Sequence, residues 1–170
     1  IQEKLGIKLP KHFNSFKTES KIATVRDILN RPIRICGMVK NEGEAGGGPF
    51  WVKDENSQVS LQIVETSQID LEDKKQLAIL NAATHFNPVD LVCSMKNYKG
   101  EKFNLLDFVN NNSGFIVNKT ICGHAIKSYE LPGLWNGAMG HWLTIFVQVP
   151  LLTFNPVKTV NDLLKNAHQQ

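Results

Sequence analysis

Nine consecutive residues, from Asn41 to Pro49, include four glycines and one proline. Glycine leaves the backbone conformationally free and proline removes a ladder donor, so this stretch predicts a loop without regular structure. Before it, residues 33–40 alternate in strand period, with one face more apolar than the other. After it, residues 50–52 and 59–64 are apolar runs separated by a polar turn, which predicts an antiparallel hairpin. The loop therefore joins a strand to a hairpin in a mixed or antiparallel sheet.

Helices and strands interleave along the remainder of the chain. The capping-box spacing of Thr24 and Asp27 predicts a helix that starts near Thr24. Asp70 is a good helix cap and predicts an amphipathic helix over residues 71–83. Further strands are predicted at 89–95, 115–117, 125–129 and 144–149, a helix at 134–142, and either a helical turn or a strand at 103–109. We therefore expect an α/β fold with a mixed sheet flanked by helices.

The length of the chain predicts how many domains it forms, and its cysteines predict its cellular compartment. The chain has 170 residues, of which 42% are hydrophobic, and this is enough for one buried core. We expect residues 1–23 to be a connecting segment and residues 24–170 to form one domain or part of one. Because the chain starts at Ile1 without a preceding methionine, we expect it to be a piece of a longer protein. Its three widely spaced cysteines are typical of thiols in a reducing compartment, so a cytoplasmic location is expected.

Several classes of function are disfavoured by the sequence. No apolar run approaches the roughly 20 residues that a membrane-spanning helix requires, so we expect no membrane partner. The net charge of +3 is small and its charges are interspersed, so we expect no nucleic-acid partner. Hydrolase signatures such as G-x-S-x-G and H-E-x-x-H are missing from the sequence.

The tetrapeptide F-N-P-V occurs twice, first before Asp90 and again before Lys158. Thr159 and Asp162 have capping-box spacing, so Lys158 is expected just before or at the start of the last helix. A lysine at the positive end of a helix can present its ammonium to a phosphate that also meets free backbone donors. The alternative is a solvated lysine after a turn. For Asp90 the two interpretations are an oxygen ligand for Mg²⁺ and a residue that ends a turn or strand.

Other residues could contact a ligand. Backbone amides in the glycine-rich loop, with Gly46, Gly47 and Gly48, could approach oxygen atoms closely, although glycine runs are often simple connections. Asn136 could hydrogen-bond a sugar or base beside Trp135, for which core packing is the alternative. His85 fits either a phosphate donor or a capped histidine at a helix end, and the second interpretation is preferred.

Three segments resemble the UDP-sugar pyrophosphorylases, in the same order along the chain. Residues 154–164 resemble the family's F-L-P-V-K-T-T-S-D-L-L segment, in which the lysine contacts substrate phosphate. Residues 63–69 are similar to V-V-E-Y-S-E-I, and residues 85–87 are similar to part of F-N-T-N-N. The resemblance implies that Lys158 is the catalytic residue, and that Glu65 and Asn87 lie near the sugar. Thr66 replaces the usual tyrosine, and Pro88-Val89-Asp90 replaces T-N-N.

A longer resemblance links residues 31–168 to a bacterial family designated domain of unknown function 4301. The shared motifs include R-P-I-R-x-C-G-M-V-K-N-E-G-E-x-G-G-G-P-F-W-V, H-F-N-P-V-D-L-V, L-P-G-L-W-N-G-A-M and T-F-N-P-V-K-T-V-N-D-L-L. Longer members of this family have an amino-terminal half that resembles the nucleotide-binding start of nucleotidyltransferases. The resemblance implies that this chain is the carboxyl-terminal part of a nucleotidyltransferase-like, GT-A-type fold, whose partner is that amino-terminal half.

The leading hypothesis is a Mg²⁺-dependent nucleotidyltransferase-like protein that joins a sugar phosphate to a nucleotide and releases pyrophosphate. The absence of a protein nucleophile agrees with it, because direct transfer needs only positioning and charge neutralisation. The alternative is a module that binds a sugar nucleotide or a partner without catalysis. Under the leading hypothesis, Asp90 and Lys158 are predicted to face the same cleft.

Overall fold

The computed structural model describes residues 1–44, 46–55, 57, 59–133 and 137–169, without the side chain of Lys4. Its helices are α1 (Gln2–Leu5), α2 (Thr18–Leu29) and α3 (Lys74–Asn81). Its strands are β1 (Ile33–Lys40), β2 (Gly48–Lys53), β3 (Val59–Val64), β4 (His85–Phe86), β5 (Leu91–Ser94), β6 (Phe115–Ile121), β7 (His124–Glu130) and β8 (Leu143–Gln148). Among the described residues, every helix is too short or too polar to cross a bilayer. The mixed α/β class predicted from the sequence is confirmed.

Strand β1 is the centre of a four-stranded sheet. β8 runs parallel to β1 along residues 33–38, on one side. On the other side, β5 pairs antiparallel with residues 33–36 of β1, and the two-residue β4 pairs with residues 39–40. The hairpins β2–β3 and β6–β7 form separate two-stranded antiparallel sheets. Because β8 pairs with β1 from the far end of the chain, the sheet brings the first and second F-N-P-V segments to neighbouring positions.

The core lies between one face of this sheet and the first hairpin. Cys36 and Met38 from β1 form a buried cluster with Ile63 from β3, and Leu91 and Phe146 pack against it. Burial raises the pKa of the Cys36 thiol to about 11, so the thiol stays protonated at neutral pH. The hairpin is therefore fixed to the sheet by apolar contacts.

A buried arginine ties three strands together. Arg34 is 1% exposed, and its guanidinium donates from Nε to Thr144 Oγ1 (2.9 Å) and from Nη2 to Gln62 Oε1 (2.7 Å). Gln62 Nε2 donates in turn to the carbonyl of Gly140 (2.9 Å). Burial lowers the pKa of the Arg34 guanidinium. The side chain nevertheless stays protonated, as arginine does in proteins. Neutral oxygens thus hold a buried cation at the junction of β1, β3 and β8.

Replacing Gln62 with leucine is expected to lower the free energy of unfolding by about 2 kcal/mol, because the buried guanidinium loses an acceptor. Urea unfolding of Gln62→Leu measures the loss. The double variant Arg34→Met, Gln62→Leu removes the charge as well and should recover part of the stability. A double variant whose loss equals the sum of the two single losses would contradict the contact between these side chains.

Two predicted helix starts are wrong. α2 begins at Thr18, earlier than predicted, and Thr24 Oγ1 donates to the carbonyl of Ser20 (2.8 Å) inside the helix instead of capping it. α3 is capped by Asp73, whose carboxylate accepts two amides of the first turn. Asp70 accepts the amide of the residue two positions later and begins the turn before the helix. α2 starts after Lys17 without a side-chain cap, and both predicted caps instead make other local hydrogen bonds. The domain boundary at residues 23 and 24 stays a prediction.

The loop and the small-residue helix also differ from the prediction. Gly48 and Pro49 belong to β2 and pair with β3, so the loop is shorter than the predicted nine residues. Residues 137–141 form turns rather than a helix, and residues 134–136 lie outside the described part of the chain. Residues 105–108 form a 3-10 helix, which decides between the two interpretations of that segment.

Candidate functional site

The glycine-rich loop lies directly on the first F-N-P-V segment. The amide of Asn87 donates to the carbonyl of Gly47 (2.8 Å). A side-chain carbon at Gly46 would lie 2.9 Å from Phe86 Cδ2, and one at Gly47 would overlap Ile63 Cγ2. Only glycine allows this approach, so the loop and β4 are in backbone contact.

The side chain of Asn87 holds the turn that follows β4. Asn87 is 5% exposed, and its Nδ2 donates to the carbonyls of Gly37 (2.7 Å) and Asp90 (3.3 Å). Its Oδ1 accepts the amide of Val89 (2.9 Å), which fixes Val89 at a φ of 76°, a strained value for a β-branched residue. Both amide hydrogens of the predicted sugar ligand Asn87 are therefore used by the chain itself. A sugar hydroxyl could still donate to the remaining lone pair of Oδ1.

Asp90, the predicted metal ligand, is exposed at the end of this turn. Its carbonyl accepts the amide of Gly37 (3.0 Å), and a side-chain carbon at Gly37 would lie 3.1 Å from Asp90 Cβ. In the described part of the chain, no three His, Cys, Asp or Glu side chains form a metal-binding group. Mg²⁺ in phosphate-transfer sites is often held by one or two carboxylates together with substrate phosphates and water. Asp90 fits the role of a single carboxylate ligand of that kind.

Glu65, the predicted sugar ligand, directly follows β3 and begins the 3-10 helix Thr66–Gln68. Its carboxylate accepts the amide of Gln68, while the Gln68 side chain accepts the Glu65 amide (2.9 Å). A side-chain carbon at Gly47 would lie 3.8 Å from Glu65 Cγ. This capping box therefore orients Glu65 beside the glycine-rich loop.

The two F-N-P-V segments meet through their phenylalanines. The rings of Phe86 and Phe154 have centroids 5.3 Å apart and cross at 78°, an edge-to-face contact. Val149, which follows β8, lies beside Gly37, because a side-chain carbon at Gly37 would be 3.6 Å from Val149 Cγ2. The second F-N-P-V segment therefore packs against the first through these two rings. The sequence signal for this contact is the repeated tetrapeptide, since each copy begins with one of the two phenylalanines.

Lys158 follows the second segment and precedes the 3-10 helix Val160–Leu164. The predicted capping box is confirmed, because the Asp162 carboxylate accepts the amides of Lys158 (2.9 Å) and Thr159 (2.7 Å). These two amides are therefore occupied, and the ammonium is the part of Lys158 that can meet a phosphate. The Lys158 side chain is exposed, and its ammonium has no hydrogen-bond partner among the described residues.

Asp162 is the charged centre of this segment. Its hydrogen bond from Lys165 (2.9 Å), with those from the amides of Thr159 and Lys158, holds the pKa of its carboxyl well below the usual value of 3.8. The same contact raises the pKa of Lys165, and the negative charges of Glu44 and Glu42 raise it further.

The Asp162 contacts should persist at neutral pH and disappear in acid. A carboxyl whose pKa is lower in the folded state stabilises that state above its unfolded pKa, and the effect is lost as pH falls below about 4. Amide proton shifts of Lys158 and Thr159, followed by NMR, should titrate with a midpoint below 3.8. Asp162→Asn should abolish this titration, whereas the exposed control Asp27→Asn should keep it. Wild-type amide shifts that titrate with a midpoint at or above 3.8 would contradict the contact.

The structure brings most of the predicted site residues to one region. Gly46 and Gly47 contact Asn87, and Gly48 lies beside the carbonyl of His85. Glu65 adjoins the loop, and Lys158 follows the segment that packs on Phe86. Asn136 lies outside the described residues. The roles of these residues, and the common cleft of Asp90 and Lys158, stay predictions.

Comparison with protein families and curated proteins gives one match. The family model described as Domain of unknown function (DUF4301) matches residues 1–169. No curated protein sequence matches the chain.

Among solved structures, the chain is similar to a UDP-glucose phosphorylase from Trypanosoma brucei, with 20% identity and a TM-score of 0.53. The match covers 94% of this chain and 32% of that chain. A variant of UDP-glucose pyrophosphorylase from Leishmania major, solved in complex with UDP-glucose, matches with 19% identity and a TM-score of 0.47, over 94% of this chain and 34% of that chain. The chain thus spans about a third of the length of these proteins. The likeness to the Trypanosoma brucei protein is one of fold.

Proposed function

The chain belongs to the family Domain of unknown function (DUF4301), and we propose that it is the sugar-side part of a nucleotidyltransferase-like protein. Its fold is proposed to be the carboxyl-terminal part of a GT-A-type fold, working in the cytoplasm with an amino-terminal half that binds the nucleotide. One observation carries the proposal: the glycine-rich loop, the Asn87–Asp90 turn and the Lys158 segment are joined by direct contacts. The likeness of fold to the Trypanosoma brucei UDP-glucose phosphorylase supports it.

The proposed reaction joins a sugar phosphate to a nucleoside triphosphate. An oxygen of the sugar phosphate attacks the α-phosphorus and forms a new P–O bond, while the bond to the bridging oxygen breaks and pyrophosphate leaves. Lys158 would neutralise phosphate charge with its ammonium, since its amide is occupied by Asp162. Glu65 would accept hydrogen bonds from sugar hydroxyls beside the loop amides of Gly46–Gly48.

Mg²⁺ is part of the proposal because the triphosphate needs a cation to neutralise it. Asp90 would supply one carboxylate ligand, and the phosphates, water and other parts of the protein would supply the others.

The decisive experiment uses the full-length protein with a panel of sugar phosphates and nucleoside triphosphates. We expect pyrophosphate release with one pair, and its loss when EDTA removes divalent cations. A folded full-length protein that releases no pyrophosphate with any pair would overturn the catalytic proposal.

A second candidate is a module that binds sugar nucleotides without catalysis. Departures from the pyrophosphorylase segments favour it, because Thr66 replaces the usual tyrosine and Pro88-Val89-Asp90 replaces T-N-N. Isothermal titration of UDP-glucose into the full-length protein distinguishes the candidates, since binding without pyrophosphate release supports the second.

A further inference from the structure

Beyond Val149 the chain leaves the central sheet. The amide of Val149 donates to the carbonyl of Met38 (2.9 Å), and Pro150 follows. In the part of the chain that the structure describes, every hydrogen bond and ion pair of residues 151–169 has its partner within residues 150–169. None of residues 151–169 is buried. These residues, which include Lys158, form the Lys158 strap, and apolar contact must hold the strap to the rest of the protein.

The ring of Phe154 attaches the strap to β4. It meets the ring of Phe86 edge to face, with centroids 5.3 Å apart. Phe86 is 3% exposed and pairs with Val39 of β1, so the sheet fixes its position. The same ring lies against the glycine-rich loop, because a side-chain carbon at Gly46 would be 2.9 Å from Phe86 Cδ2. The strap and the loop therefore meet at one side chain, Phe86.

Other apolar side chains of the strap lie mostly in solvent. Leu152, Val157, Val160 and Leu164 are 69%, 51%, 81% and 74% exposed. The strap contains short 3-10 helices, whose hydrogen bonds are local. A segment with few buried apolar contacts opens at a low cost in free energy. The position of the strap therefore depends on Phe154 more than on these exposed side chains.

The chain between Phe154 and Lys158 has little freedom. Lys158 follows Phe154 by four residues, and the ring of Pro156 between them fixes one backbone angle. Beyond Lys158, the Asp162 carboxylate accepts the amides of Lys158 and Thr159 and stiffens the strap. A displacement of Phe154 would therefore move Lys158 with it.

We propose that Phe154 is a positioning residue for Lys158 and acts through its ring contact with Phe86. The contact keeps Lys158 at the predicted site. When the contact is lost, the strap detaches from β4 as a unit, and Lys158 leaves the site with it. The positioning role rests on the proposed function, whereas the attachment of the strap does not.

Limited proteolysis of the full-length protein tests the attachment. Trypsin cleaves after lysine, and cleavage after Lys158 requires the strap to open, so its rate follows the open population. We expect Phe154→Ala to raise this rate at least about 10-fold, because the aromatic contact is removed. Phe154→Tyr keeps the ring and should keep the wild-type rate. The matched control is Leu152→Ala, which removes an exposed apolar side chain from the same strap and should also keep that rate.

Pyrophosphate release tests the positioning of Lys158. We expect Phe154→Ala to lower kcat/KM at least about 5-fold, since Lys158 is in place in the attached fraction of the protein alone. In the Lys158→Met background, Phe154→Ala should cause no further loss, because the ammonium that Phe154 positions is already absent. A merely structural role of Phe154 would instead cause the same loss in both backgrounds.

The outcomes separate this inference from the proposed function. Equal cleavage after Lys158 in the wild-type and Phe154→Ala proteins, or an equal increase in Leu152→Ala, would overturn the attachment. Independent losses of kcat/KM from Phe154→Ala and Lys158→Met would overturn the positioning role. If the wild-type protein releases no pyrophosphate, the proposed function fails and the positioning role falls with it, while the cleavage rates still decide the attachment.

Discussion

Gly47→Ala is expected to lower the free energy of unfolding by about 3 kcal/mol, because its new methyl group would overlap Ile63 Cγ2 in the core. Ile63 is 2% exposed and packs with Cys36 and Met38, so it has little room to move. The loop would have to leave β4, which breaks the hydrogen bond from the Asn87 amide to the Gly47 carbonyl. Urea unfolding of the isolated chain measures the loss of stability.

A double-mutant cycle with Ile63→Ala is the control for this prediction. Ile63→Ala removes the overlapping Cγ2 and is itself destabilising by about 2–5 kcal/mol, as large-to-small core changes usually are. In the double variant the new methyl group fits the space that Ile63→Ala leaves. The double variant should therefore lose at least about 1 kcal/mol less stability than the sum of the two single-variant losses, which is roughly the coupling of residues in contact. Strict additivity would show that the loop does not pack on Ile63 as described.

Local patterns predicted the elements of the fold better than their boundaries and pairings. The alternation of residues 33–40 and the apolar runs around the turn at 53–57 predicted β1 and the first hairpin, since period and turn chemistry are local. The starts of α2 and α3 were wrong because Thr24 and Asp70 make other local hydrogen bonds. The pairing of β1 with β8 joins residues about 110 positions apart, and no local pattern contains it.

The candidate site was predicted as a set of residues but not as a set of contacts. The capping box of Thr159 and Asp162 could be predicted from spacing, and the structure contains it. The hydrogen bond from the Asn87 side-chain amide could not be predicted from spacing, because its acceptor Gly37 lies 50 positions away in β1. Arg34 was missed for the same reason, since its partners come from two other strands.

Lys158→Met in the full-length protein is expected to lower kcat/KM for pyrophosphate release by at least about 100-fold, which is about 2.7 kcal/mol of transition-state stabilisation. Methionine keeps much of the length and apolar stem of lysine but has no charge to neutralise a phosphate. Because the amide of Lys158, rather than its ammonium, bonds Asp162, the segment should keep its fold. Stability of the variant should therefore match that of the wild-type protein in urea.

The matched control is Lys127→Met, which removes an exposed lysine from β7, far along the chain from the predicted site. It causes the same loss of net charge, so it reports any long-range effect of charge on nucleotide binding. We expect this control to keep kcat/KM within about twofold of the wild-type value. Equal activity of Lys158→Met and Lys127→Met would remove Lys158 from the catalytic proposal. An equal loss in both variants would instead assign the effect to net charge, since neutralisation by a positioned ammonium acts only where the phosphate lies.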